Sequence, residues 1–106
     1  MYLFQGLNQW IRVQFPDPVT PAELRLTFQG GFSARVTRVQ FFSDEAQVWE
    51  QVIHPEDTHS CQIFPLRCPT ECNQIRVVFG EACDLFGRII VYSFDLLGSK
   101  SSLNDA

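Results

Sequence analysis

The sequence predicts an all-β protein, a jelly-roll sandwich, and three observations predict it. Apolar residues recur with period two along most of the chain, which is the strand signature. Clusters of proline and glycine interrupt these runs at short intervals. Only one stretch has helical spacing.

Residues 1–8 are read as an irregular lead. In Gln9–Phe15, Ile11, Val13 and Phe15 share one face, and Arg12 and Gln14 share the other. Trp10 falls opposite the apolar trio and is expected beneath a loop. The run from Pro16 to Pro21 holds three prolines and reads as a turn. Leu24, Leu26 and Phe28 then alternate with Glu23, Arg25 and Thr27, so this strand has one buried and one wet face. Gly30-Gly31 ends it. Thr37, Val39 and Phe41 alternate with Arg38 and Gln40 in the next strand, and Ile75, Val77 and Phe79 point inward in a later one. The last strand, Arg88–Leu97, is apolar on both faces at Ile89, Ile90 and Val91, which suits a central position. One-sided burial at Tyr92, Phe94 and Leu96 follows it.

Asp44–His54 is two-sided. Val48, Trp49, Val52 and Ile53 have helical spacing, and Asp44 with Gln47 would form a capping box. The surrounding strands favour a strand, and that is the expectation.

A chain of 106 residues has room for one domain, read here as 9–98 with a flexible tail over 99–106. Ten Phe and two Trp with 19% charged residues describe a globular core rather than a disordered chain. The formal net charge of −4, a single Lys and seven scattered Arg argue against direct nucleic-acid binding and against attraction to anionic membranes. No run reaches the ~20 apolar residues of a spanning helix. Without an export signal, Cys61, Cys68, Cys72 and Cys83 read as free thiols, and nucleus or cytoplasm is the expected compartment.

Two segments carry a resemblance. Gln9-Trp10-Ile11-Arg12-Val13-Gln14-Phe15, with the later Leu24–Phe32 strand and turn, resembles the Trp strand and following strand of discoidin-type, galactose-binding-like domains. Asp84–Tyr92 running to Leu96-Leu97-Gly98 resembles the closing strand of that fold. The pairing of a Phe-Gln-Gly-Gly-Phe turn with an Asp-Leu-Phe-Gly-Arg turn is similar to nuclear-receptor-associated members of the superfamily. That resemblance implies a non-enzymatic protein-interaction module, a repressor of transcription with a nuclear receptor as partner. The alternative it leaves is a small-ligand or glycan-binding module. Discoidin domains carry a longer segment before the Trp strand. The chain is therefore expected to lack part of the N-terminal strand region and to self-associate through an exposed sheet edge.

Few residues suggest chemistry. Asp57, His59 and Cys61 alternate, but strand neighbours two apart lie about 6.6–7 Å from one another, too far for the direct hydrogen bonds of a catalytic set. They read as a solvated turn entering a strand. His59, Cys61, Cys68 and Cys72 are the side chains that would have to converge on a metal, yet they contain no Cys-x-x-Cys knuckle, and no metal or cofactor is expected. Gln29-Gly30-Gly31-Phe32 lacks the Gly-Lys-Ser/Thr ending of a phosphate loop and reads as a turn. The partner-facing candidates are Gln29, Gly30, Gly31, Phe32, Asp84, Phe86 and Arg88, with an ion pair between Arg88 and Asp84 expected to hold the second turn.

Overall fold

Strict alternation along the chain builds seven strands and no helix in the computed structural model, which describes residues 1–100. They are β1 (Tyr2–Gln5), β2 (Gln9–Phe28), β3 (Ala34–Ser43), β4 (Ala46–Ile53), β5 (Gln62–Pro65), β6 (Cys72–Ala82) and β7 (Arg88–Lys100). All pair antiparallel in one curled sheet of order β1-β7-β2-β6-β3-β4, with β5 added to β2. The fold is all-β, as the alternation predicts.

Strand β2 explains the curl. Its first half, Gln9–Gln14, pairs with β6, while Val19–Phe28 pairs with β7 and Glu23–Leu26 also with β5. The ladder to β6 is interrupted between Gln14 and Val19. Pro16 and Pro18 sit in that interruption, where a missing amide hydrogen loses no ladder bond and the ring's fixed φ suits extended backbone. The run from Pro16 to Pro21 is thus no chain reversal, as expected from composition, but a crossing between the two halves of the sheet. Those halves face each other as sandwich layers do: the Phe79 ring of β6 lies 6.0 Å from Phe28 of β2 and 5.4 Å from Phe4 of β1.

Most of the core is the set the alternation names, joined by Ala34, Ile53, Leu66, Cys68 and Cys72. Leu24, Leu26, Phe28, Val39, Phe41, Ile75, Val77, Phe79, Ile89 and Val91 are buried, and Ile11, Val13 and Phe15 are half-buried near an edge. Burying each large side chain contributes about 1.5–3 kcal/mol before chain entropy is counted.

Three further expectations are corrected. Residues 2–5 of the expected irregular lead form β1, because Tyr2–Gln5 finds the free edge of β7 in register with Val91–Arg88. Trp10 does not lie under a loop; it stays on the outer face of β2, half exposed, against Arg76. In β7 the register moves from Phe28↔Val91 to Thr27↔Ser93, so Tyr92 is an extra, bulged residue. The bulge turns Tyr92 outward and returns Phe94 and Leu96 to the side of Val91. Within Asp44–His54 the expected strand forms as β4, and Asp44 is no helix cap: Asp44 and Glu45 have φ of 49° and 71° and form the two-residue loop of the β3–β4 hairpin, closed by Ser43↔Ala46. Of the tail read over 99–106, Ser99 and Lys100 belong to β7, and 101–106 lie outside the described residues.

Candidate functional site

The two glycine turns singled out in the sequence meet at one end of the sandwich, and Arg88 joins them. Asp84 Oδ2 accepts hydrogen bonds from the Phe86 and Arg88 amides at 3.1 Å each and from Arg88 Nε at 2.9 Å; Oδ1 accepts from Arg88 Nη2 at 3.1 Å. The ion pair expected from spacing is therefore present. Bonding from the Arg88 guanidinium, reinforced by the two amides, holds the Asp84 carboxyl down at about 2. The clamped guanidinium lies over the Phe32 ring at 5.2 Å and the Phe86 ring at 5.4 Å, so one cation is shared by both turns.

The Gln29–Phe32 turn is fixed from behind. The Phe32 amide donates to the Gln29 carbonyl at 2.9 Å, and Tyr92 Oη donates to Gln29 Oε1 at 3.0 Å. Gly31, at φ 85°, occupies the left-handed region that side chains with a Cβ avoid. Asp57 Oδ1 accepts from the Gly31 amide at 2.8 Å and Ser33 Oγ at 2.9 Å, while His59 Nδ1 accepts from the Gly30 amide at 3.2 Å. Asp57 and His59 are therefore more than a solvated turn: they fasten the β5 approach to the glycine turn. Spacing alone could not show this, since their partners lie 24 to 29 positions away.

What this end offers to solvent is apolar. Leu85 is 97% exposed, Leu7 90% and Phe86 70%. With Phe79, Gly87 and Ile89 they border a cleft of about 410 Å³. Apolar side chains held out by a rigid turn are suited to a protein surface, because little conformational entropy remains to be lost on docking. Leu7 and Leu85 were missed in the sequence. Each stands in a short turn without period, and only pairing of β1 with β7 brings the turns together.

The remaining candidates do not assemble. Cys61 is exposed, Cys68 is buried in the β5–β6 connection, and Cys72 is buried at the start of β6. Burial pushes the Cys72 thiol up to about 11, which keeps it protonated at neutral pH and opposes metal ligation as thiolate. Among the described residues, no group of three or more His, Cys, Asp or Glu side chains is arranged to hold a metal. Cys83, read from the sequence as a free thiol, has Ser33 Oγ at 3.1 Å and accepts from Arg35 Nε at 3.3 Å.

No family model matches the chain. It is similar, however, to curated proteins described as nuclear receptor 2C2-associated protein. The relative from Danio rerio is 39% identical over 97 residues, covering 91% of this chain and 69% of the relative. That from Bos taurus is 37% identical over 97 residues, and that from Homo sapiens 36% over 98, with the same coverage.

Proposed function

The chain belongs to the nuclear receptor 2C2-associated protein family, and from that membership we propose that it is a non-enzymatic interaction module which binds a nuclear receptor and represses transcription. The observation that carries this reading is similarity at 36–39% identity across 91% of the chain. The loop end supports it by presenting Leu85 and Phe86 on a clamped turn, as interface anchors are presented. Reading the module as non-enzymatic is supported by Asp57 and His59, which hydrogen-bond the Gly31 and Gly30 amides rather than each other, as side chains with a structural role do. The same reading places the protein in the nucleus or cytoplasm and makes its sandwich discoidin-type. Gly98 supports the latter, since a Cβ there would come within 2.5 Å of the Thr20 carbonyl where β7 closes on β2.

The test is capture of the tagged chain by purified nuclear receptor 2C2. Wild type is expected to be retained, and Leu85→Ser/Phe86→Ser to lose at least tenfold in affinity while melting within a few degrees of wild type. Absence of capture overturns the receptor reading. Equal capture of the variant overturns the placement of the contact at the loop end.

A further inference from the structure

The outward side chains of β2, β6 and β3 form a surface that the loop end does not use. On β2 these are Trp10, Arg12 and Gln14; on β6, Gln74, Arg76 and Val78; on β3, Val36, Arg38, Gln40 and Phe42. The protein carries twelve acidic residues against eight basic ones; Glu50 of the adjoining β4 stands opposite Gln40 on this side, but no acidic side chain stands among these positions. Three of its seven Arg do.

Their arrangement is unusual for a face that meets only water. Arg12 stands directly opposite Arg76 in the β2–β6 ladder, and Gln40, two residues along β3 from Arg38, stands opposite Arg76 on the other side. Like charges directly across a ladder destabilise the pair. Elsewhere Arg25 and Arg88 have carboxylate partners, whereas Arg12, Arg38 and Arg76 form no ion pair among the described residues. Arg76 is also held in place. Its Nε donates to Gln40 Oε1 at 2.8 Å, Gln40 Nε2 donates to Glu50 at 3.0 Å, and the guanidinium lies between the rings of Trp10 at 5.7 Å and Phe42 at 5.1 Å. Trp10 is left 48% exposed, and beside Arg38 the apolar Val52 of β4 is 46% exposed.

We propose that this face is a second protein-docking surface, built for an extended acidic segment that carries a carboxylate at every second position. Charge complementarity names the occupant. Unpaired guanidinium groups recognise carboxylates bidentately, and carboxylates would remove the repulsion between Arg12 and Arg76. Trp and Arg are the residues enriched in binding hot spots, and a Trp already stacked on an ordered Arg loses little entropy on contact. The every-second-residue spacing follows from geometry: side chains two apart on an extended segment share one face about 6.6–7 Å apart, so the carboxylates all turn to the arginines while the residues between them point away.

The test needs no receptor, so its outcome is independent of the loop-end reading. A twelve-residue peptide of three Asp-Leu-Asp-Phe repeats is titrated into the labelled full chain and followed by amide shifts in NMR spectra. The expected result is saturable shifts at Trp10–Gln14, Arg38–Phe42 and Gln74–Val78, weakened by added salt. Arg12→Glu/Arg38→Glu is expected to lower affinity at least tenfold with an unchanged fold, because both side chains are exposed and a carboxylate at position 12 would face Arg76 attractively. Arg12→Gln/Arg38→Gln is the reserve variant should the first fold poorly, with the same expected loss. Shifts confined to the loop end, equal binding of a Lys-Leu-Lys-Phe control peptide, or variants within twofold of wild type overturn the proposal. So does tighter binding of an oligodeoxythymidine at the same residues, which would make the face a general polyanion site. Shifts there on raising protein concentration alone would assign the face to a second copy and also overturn it.

Discussion

Asp84 accepts four hydrogen bonds from two residues, and three of them come from Arg88. Its carboxyl sits at about 2 in the fold against an ordinary 3.8. The charged form is thus favoured by folding. The clamp contributes fully above about pH 4, where the carboxyl is ionised in both folded and unfolded chains, and its contribution is lost as pH falls towards 2. Asp84→Asn is expected to melt at a lower temperature at pH 7 and to show a flatter decline between pH 4 and 2, read from thermal melts across that range. Thr37 presents the opposite case. Its side chain is fully buried between β3 and the core, and its Oγ1 has no hydrogen-bond partner. Removing an unsatisfied buried hydroxyl while keeping the shape relieves a desolvation penalty. Thr37→Val is expected to raise stability by about 1 kcal/mol in urea unfolding, and a loss of that size would reveal a hidden partner for the hydroxyl.

Among the elements, most irregularities are bulges and turns that change which face a side chain serves. In the β3–β4 hairpin, Asp44 and Glu45 both adopt positive φ, and Asn73 braces the turn by accepting from the Asp44 amide at 3.2 Å and donating to Asp44 Oδ1 at 3.1 Å. Glu45, with φ 71°, has no such brace from Asn73. Glu45→Gly is expected to stabilise the protein by about 0.5–1 kcal/mol in chemical unfolding, since the left-handed penalty for a Cβ exceeds the entropy glycine adds. The adjoining β4 shows why Asp44–His54 imitates a helix. The register passes from Phe42↔Gln47 to Phe41↔Trp49, leaving Val48 as a bulge. Trp49 and Ile53 then share the side of Phe41 and Thr37, while Val52 lies opposite, across from Arg38. A bulged edge strand with apolar residues on both sides has the spacing i, i+1, i+4, i+5 without being helical.

Across the molecule, sequence-distant strands do most of the pairing. β1 closes on β7 with Gln5 against Arg88, and β2 must find β5, β6 and β7 before its two halves have neighbours. Closing such long loops precedes the burial that rewards it, which slows folding. Refolding followed by Trp fluorescence in stopped flow is expected in the millisecond-to-second range; completion within microseconds would contradict the strand order. The pairing also leaves β1, β4, β5 and the first half of β2 with one partner each. Unpaired edges invite addition of another strand, and β4 answers with its bulge.

Local pattern was enough to establish the class of the fold, most members of the core and the chemistry of the Asp84–Arg88 turn. Leu24, Leu26, Phe28, Thr37, Val39, Phe41, Ile75, Val77 and Phe79 are legible because period-two burial is a local property of the backbone. The Arg88–Asp84 pair is legible because four residues in a turn stay close whatever surrounds them. The folded chain was needed to show that the prolines of β2 mark a crossing between sheet halves. It also paired residues 2–5 with β7, set Asp57 and His59 behind Gly30-Gly31, and put Arg12 opposite Arg76. Each of these depends on which strands lie side by side, and strand order is settled by long-range burial of the whole core, which no local pattern encodes.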